Sequence, residues 1–216
     1  MAHTSRLPEA QRRALDRLKS VPGMADFYLA GGTAVAIHLG HRLSLDLDFF
    51  SVRPDVDLDA VRDSVRHAFA EASTVAQTDA AVQLLCDGAP IDLVRYPYPP
   101  VRAIERTSDG IAVASLLDLA AMKLGALSRR GLRRDFWDLA EIVRRGGVSL
   151  GEACQAYRDR YGVAEADLYH VLRALTWFED AERDPVYPAG LTEAGWREIK
   201  AFFVREAPKL LTATFG

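Results

Sequence analysis

The chain has 216 residues, 27 basic and 30 acidic, with a formal net charge of −3 and 49% hydrophobic residues. That is enough apolar chain to build a core without disulfide staples, and it excludes a disordered or collagen-like polymer. The slight negative charge argues against a protein that attracts nucleic acid with its whole surface. Two distant cysteines, Cys86 and Cys154, argue against a disulfide framework or a thiolate zinc site.

The same cysteine usage fits a reducing, cytoplasmic setting, and the opening residues, Met1 to Arg13, carry charges and no apolar leader core, so no signal peptide is expected. Glu9–Lys19 reads as a short amphipathic helix behind Pro8. Phe27–Ala30 is a compact apolar run, read as a buried strand that stops at Gly31-Gly32. Thr33–Leu39 reads as the helix after that turn. Leu43–Phe49 alternates strictly, as a strand with one buried face does. Asp57–Glu71 has a helical apolar stripe through Leu58, Val61 and Val65. Strands follow at Thr74–Gln77, Val82–Cys86 and Ile91–Tyr96, the last two joined across Asp87-Gly88, a hairpin signal. Pro97, Pro99 and Pro100 break the chain, and Ile111–Ala114 reads as one more strand. From Ser115 onward the pattern is helical: Leu116–Ser128, Arg134–Arg144, Leu150–Tyr161, Glu165–Glu182 and Thr192–Arg205. The apolar run Ile111–Leu127 is interrupted by Asp118 and Lys123, so no membrane span is expected.

Within the alternating run, Ser44, Asp46 and Asp48 share one face of a strand and Leu45, Leu47 and Phe49 the other. That sets two carboxylates about 6.5 Å apart, Cα to Cα. Such acids repel one another, and a divalent cation relieves the conflict. A solvent-facing strand that happens to carry acids is the plainer alternative, although aspartate is depleted in strands. Gly31-Gly32-Thr33 sits between a strand and a helix, where glycine admits close approach and free N–H groups favour phosphate. Asp92, flanked by Ile91, Leu93 and Val94, is either a third ligand or an acid on a polar face.

The ordered set is more specific than its parts. Leu29-Ala30-Gly31-Gly32-Thr33-Ala34, then Arg42 through Asp46-Leu47-Asp48-Phe49-Phe50, then Asp92, resembles the polymerase-β type of nucleotidyltransferase. With Met122-Lys123-Leu124 and Arg134-Asp135-Phe136-Trp137-Asp138 added, it is similar to the AbiEii/AbiGii toxin family of abortive-infection and type IV toxin–antitoxin systems. The resemblance implies an α+β fold: a mixed sheet with flanking helices over residues 1–110, and a C-terminal helical bundle over residues 111–216 completing the active-site cleft. It implies a nucleotidyltransferase that uses Mg²⁺, with Mn²⁺ as the alternative ion, and moves NMP from an NTP to an acceptor, RNA and specifically tRNA. A cognate antitoxin is the implied partner, and no membrane is involved. Asp46, Asp48 and Asp92 would hold the metal. Gly31, Gly32, Thr33, Arg42 and Ser44 would contact the nucleotide. Lys123 and Asp135 join Asp46 and Asp48 as the residues on which activity depends. A module of the same fold that binds without turnover, or an enzyme acting on a protein or an antibiotic, are the alternatives.

Plainer readings stand beside several of these. Lys123 could snorkel from an apolar helix, and Asp135 and Asp138 could be helix N-terminal charges. Arg129, Arg130, Arg133 and Arg134 could grip an RNA backbone or form a solvated turn paired with Glu141 or Asp138. His38 is expected to pack at the end of its helix rather than bind zinc with His41. Trp137, Trp177, Phe178 and Trp196 are expected in the bundle core.

Overall fold

The computed structural model describes Thr4 and residues 7–215, with side chains as far as residue 212. Residues 1–3, 5 and 6, part of the stretch read above for a leader, lie outside the described residues. Two compact units divide the chain, Met1–Ser115 and Leu116–Gly216.

The first unit runs α1 (Glu9–Leu18), β1 (Tyr28–Leu29), α2 (Gly31–Leu39), β2 (Leu47–Ser51), α3 (Leu58–Ala68), β3 (Ala72–Gln77), β4 (Ala81–Cys86), β5 (Ala89–Arg95), β6 (Glu105–Arg106) and β7 (Ala112–Val113). These strands form one mixed sheet in the order β3-β4-β5-β2-β1-β7-β6. β2 runs parallel to β5, and β1 parallel to β7; the other pairs are antiparallel. Since β7 pairs with β1, residues 111–115, read above with the helical half, sit in this unit. The β4–β5 hairpin turns at Asp87 (φ +45°) and Gly88 (φ +80°), the doubly left-handed geometry whose twist suits a two-residue hairpin. Leu47, Phe49, Val82, Leu84, Ile91 and Leu93 are buried at alternate positions on the central strands, and the stripe Leu58, Val61 and Val65 of α3 is buried with them. Each such large side chain contributes about 1.5–3 kcal/mol by leaving water.

One strand differs from its sequence pattern. The alternation begins at Leu43, yet β2 begins at Leu47. Leu43 and Leu45 are exposed and Ser44 is buried, the reverse of the expected phase. The cause lies in the neighbours. β1 is two residues long and covers only Phe49 and Phe50, and β5 meets β2 first at Leu47. Upstream of Leu47 the backbone is held by side chains instead: the Gln11 amide donates to Leu45 O at 3.0 Å, and the Thr33 hydroxyl donates to Asp46 O. Asp46 therefore precedes the strand rather than sharing a strand face with Asp48.

The second unit is helical: α4 (Leu116–Leu127), α5 (Arg133–Arg145), α6 (Leu150–Tyr161), α7 (Glu165–Ala174), α8 (Glu179–Arg183) and α9 (Glu193–Phe215). α4 buries Leu119, Ala120, Ala121, Leu124 and Leu127, nearly all round its axis, so it is the central helix. Phe136 packs edge to face on both Trp196 and Phe203, with ring centroids 5.7 and 5.4 Å away. The expected single helix Glu165–Glu182 is broken at Leu175–Phe178, where the Thr176 hydroxyl donates back to Arg173 O and competes with the ladder. The expected helix Thr192–Arg205 instead runs from Glu193 to Phe215, through Pro208.

Both cysteines are buried. Burial pushes the Cys86 thiol up to about 11, with the nearby Asp87 adding to the rise, and pushes Cys154 up to about 12. No helix among the described residues is long and apolar enough to cross a membrane.

Candidate active site

In the first unit the acids gather where the start of β2 meets the middle of β5. The parallel register sets Asp48 of β2 directly beside Asp92 of β5. Burial raises the Asp92 pKa and the charge of Asp46 raises it further, while the Gln83 amide, donating to Asp92 Oδ2 at 3.2 Å, opposes the rise. Asp46 and Asp92 thus feel one another although Asp46 lies outside the strand.

The glycine turn is fitted to this group. Gly31 has φ +64°, a left-handed conformation that suits glycine, and a Cβ built there would overlap the Asp48 carboxylate, 2.8 Å from its Cγ. A Cβ on Gly32 would run into the Arg42 guanidinium and come within 3.3 Å of Ser44 Oγ. Ala30 N donates to Asp48 O at 2.9 Å, and the Thr33 hydroxyl is engaged on Asp46 O. The first turn of α2 is therefore bolted to both ends of the Asp46-Leu47-Asp48 segment. Its first N–H groups have no carbonyl one turn earlier in the helix, the arrangement that receives anions. The helix starts at Gly31, two residues before the expected Thr33.

These oxygen donors fit Mg²⁺ or Mn²⁺, which take one or two carboxylates and complete their shell with water and phosphate. The raised pKa of Asp92 is the conflict a cation would relieve. Among the described residues no three His, Cys, Asp or Glu side chains close into a ready cage. His38 Nε2 lies 2.9 Å from Ala114 O, the packing role expected of it.

In the second unit Lys123 is buried, which removes the snorkelling alternative. Its ammonium donates to Asp135 Oδ1 at 2.8 Å and lies 2.6 Å from Asp138 Oδ2, and both carboxylates are fully buried. They are not surface charges at a helix start. Burial works against the Lys123 charge, but Asp138 and Asp135 outweigh it and hold its pKa above the ordinary lysine value. Asp135 Oδ2 accepts no hydrogen bond and lies 3.7 Å from Arg130 Nε.

Sequence reasoning missed three features here. Arg160 and Asp118 form an ion pair at 2.6 Å with both side chains fully buried; no local pattern marks two residues on different helices as partners. Arg133, grouped above with the basic cluster, is buried, donates to Asp184 O and Glu182 O, and lies over the Tyr187 ring at 4.8 Å. Trp177, expected in the core, is 53% exposed.

The AbiEii family profile, a nucleotidyl transferase toxin of the type IV toxin–antitoxin system, matches residues 13–83 and 75–215. An uncharacterized protein of Aquifex aeolicus (strain VF5) is 35% identical over 210 residues, 95% of this chain and 98% of its own length. Among solved structures, MenT4, a nucleotidyltransferase toxin from Mycobacterium tuberculosis H37Rv, has the same fold: TM-score 0.62 at 19% identity, covering 96% of this chain and 91% of that one. A Megavirus polyadenylate synthase matches 64% of this chain and 32% of its own, with TM-score 0.48 and 16% identity.

Proposed function

The chain belongs to the AbiEii nucleotidyltransferase toxin family of type IV toxin–antitoxin systems, and from that footing we propose that it transfers a nucleoside monophosphate from an NTP to an RNA acceptor, tRNA in the first instance, in the presence of Mg²⁺. The observation that carries this reading is the register of one sheet, which sets Asp48 beside Asp92 while Gly31 presses against the Asp48 carboxylate.

In this reading Asp46, Asp48 and Asp92 hold the metal. Gly31, Gly32 and Thr33 present backbone N–H groups to the triphosphate, with Arg42 and Ser44 at the same turn. When bound, the ion offsets phosphate charge and aligns the attacking and leaving oxygens. The acceptor hydroxyl attacks the α-phosphorus, the bond to the bridging oxygen breaks, and pyrophosphate leaves. One of the three carboxylates takes the hydroxyl proton. The Thr33 hydroxyl acts indirectly, by fixing the carbonyl of Asp46. Lys123 serves as a positioning residue: it occupies Asp135 Oδ1 and leaves Oδ2 toward Arg130. A cognate antitoxin is the proposed partner.

The test is transfer of α-labelled NTP to total RNA by the purified full chain with Mg²⁺. A labelled RNA band that is lost in Asp46→Ala is the expected result. Label on the protein or on a small molecule would move the acceptor to another class. NTP binding by calorimetry with no product from any acceptor would leave a binding module.

A further inference from the structure

The break between α7 and α8 presents one large aromatic ring to solvent from a rigid loop. Leu175 is fully buried, and Phe178 packs on Phe136 at 5.1 Å and on Trp196 at 5.9 Å. Both large neighbours of Trp177 therefore point inward and pin the loop, yet Trp177 itself stays 53% exposed. Leaving an indole in water forgoes burial that the adjacent core could have supplied. Beside it runs the turn from Ser128 to Leu132. Gly131, at φ +43°, brings its Cα so near that an added Cβ would sit 3.9 Å from Trp177 O.

That turn is basic and its charges are available. Arg129 and Arg134 make no ion pair among the described residues. Their nearby acids are already taken: Glu141 by Arg144 and Arg145, and Asp138 by Lys123. Arg130 is 56% exposed and touches Asp135 only at 3.7 Å. The backbone of Trp177 adjoins this basic turn, so an exposed indole and several guanidinium groups lie in one neighbourhood, a combination suited to single-stranded nucleic acid: the ring stacks a base and the cations follow the phosphates.

We propose that Trp177, with Arg129, Arg130 and Arg134, forms a base-stacking docking surface for a single-stranded segment of the RNA acceptor. This rests on the RNA-acceptor reading above and names the part of the helical unit that grips the strand.

The experiment titrates the full chain with a short fluorescein-labelled single-stranded RNA, followed by anisotropy at several salt concentrations. Trp177→Ala should weaken binding about tenfold, the loss of one base stack, and Trp177→Tyr should restore most of it. Arg129→Gln and Arg134→Gln should each lower the salt slope by about 0.7, the share of one phosphate on a single strand. NTP binding by calorimetry should be unchanged in all of them. Equal RNA affinity in Trp177→Ala, or equal affinity of the native chain for single- and double-stranded RNA, overturns the proposal. So does a dimer, seen by sedimentation, that Trp177→Ala dissolves with no change in RNA affinity. Transfer to RNA that survives Trp177→Ala at full efficiency removes this surface and leaves the enzymatic reading standing. RNA binding that depends on Trp177 with no transfer to any RNA removes the enzymatic reading and leaves the surface.

Discussion

The two units treat their grouped acids in opposite ways: those of the helical unit are buried, whereas Asp48 and Asp92 of the sheet are half-buried and Asp46 is exposed. In the helical unit Asp118, Asp135 and Asp138 are fully buried, and each has a cation within 2.8 Å, Arg160 for the first and Lys123 for the other two. In the sheet unit Asp48 and Asp92 adjoin, and burial together with the charge of Asp46 raises the Asp92 pKa. The helical acids are answered by cations of the fold, whereas Asp92 of the sheet keeps a raised pKa, the kind of conflict a divalent cation relieves. A charge satisfied at home is architecture, whereas a charge left in conflict is a place for a ligand.

The largest effect expected from breaking this contrast is on stability in the helical unit. Asp118→Ala strands the Arg160 guanidinium in a dry site and should cost about 3–5 kcal/mol, read from urea denaturation. A loss below about 1 kcal/mol would mean that Arg160 finds water. Next comes activity in the sheet unit. Asp48→Asn should lower nucleotidyl transfer about 10²–10³-fold, the scale of losing one charge-stabilising group, with the thermal midpoint unchanged or higher. A large fall in that midpoint would show that Asp48 is structural and undo the contrast. Smaller is Gly31→Ala, which forces a Cβ into left-handed backbone at about 1–2 kcal/mol and displaces the Asp48 carboxylate, so denaturation and transfer should suffer together. Smallest is Asp92→Asn without metal. A carboxyl whose pKa is raised by folding contributes stability at low pH and loses it as pH rises through the folded value. The amide variant should therefore melt slightly higher than the native chain at neutral pH and no higher near pH 3. An advantage that grows on acidification would reverse the sign.

Features governed by local chemistry were legible in the sequence. Asp87-Gly88 names its own turn, the stripe Leu58-Val61-Val65 names its helix, and Gly31-Gly32 marks a turn of close approach, left-handed at Gly31. Features set by partners were not. The alternation from Leu43 describes a strand that would form if a neighbour were long enough to pair with it, and β1 is too short. The Arg160–Asp118 pair joins residues 42 apart. Arg133 and Arg134 are adjacent in sequence, yet one is buried beneath Tyr187 and the other is not, a difference decided by which face of α5 meets the core.

The two shielded thiols give each unit its own clock. With pKa values of about 11 and about 12, Cys86 and Cys154 hold at neutral pH about one thiolate in ten thousand molecules or fewer, and both are shut away from reagents. Alkylation then reports opening rather than the folded state. One cysteine lies in the sheet and the other in the bundle, so timed labelling with peptide mapping would give each unit a separate opening rate from the unaltered chain. An antitoxin that grips one unit should slow the labelling of that unit's cysteine, and so reveal which half it covers.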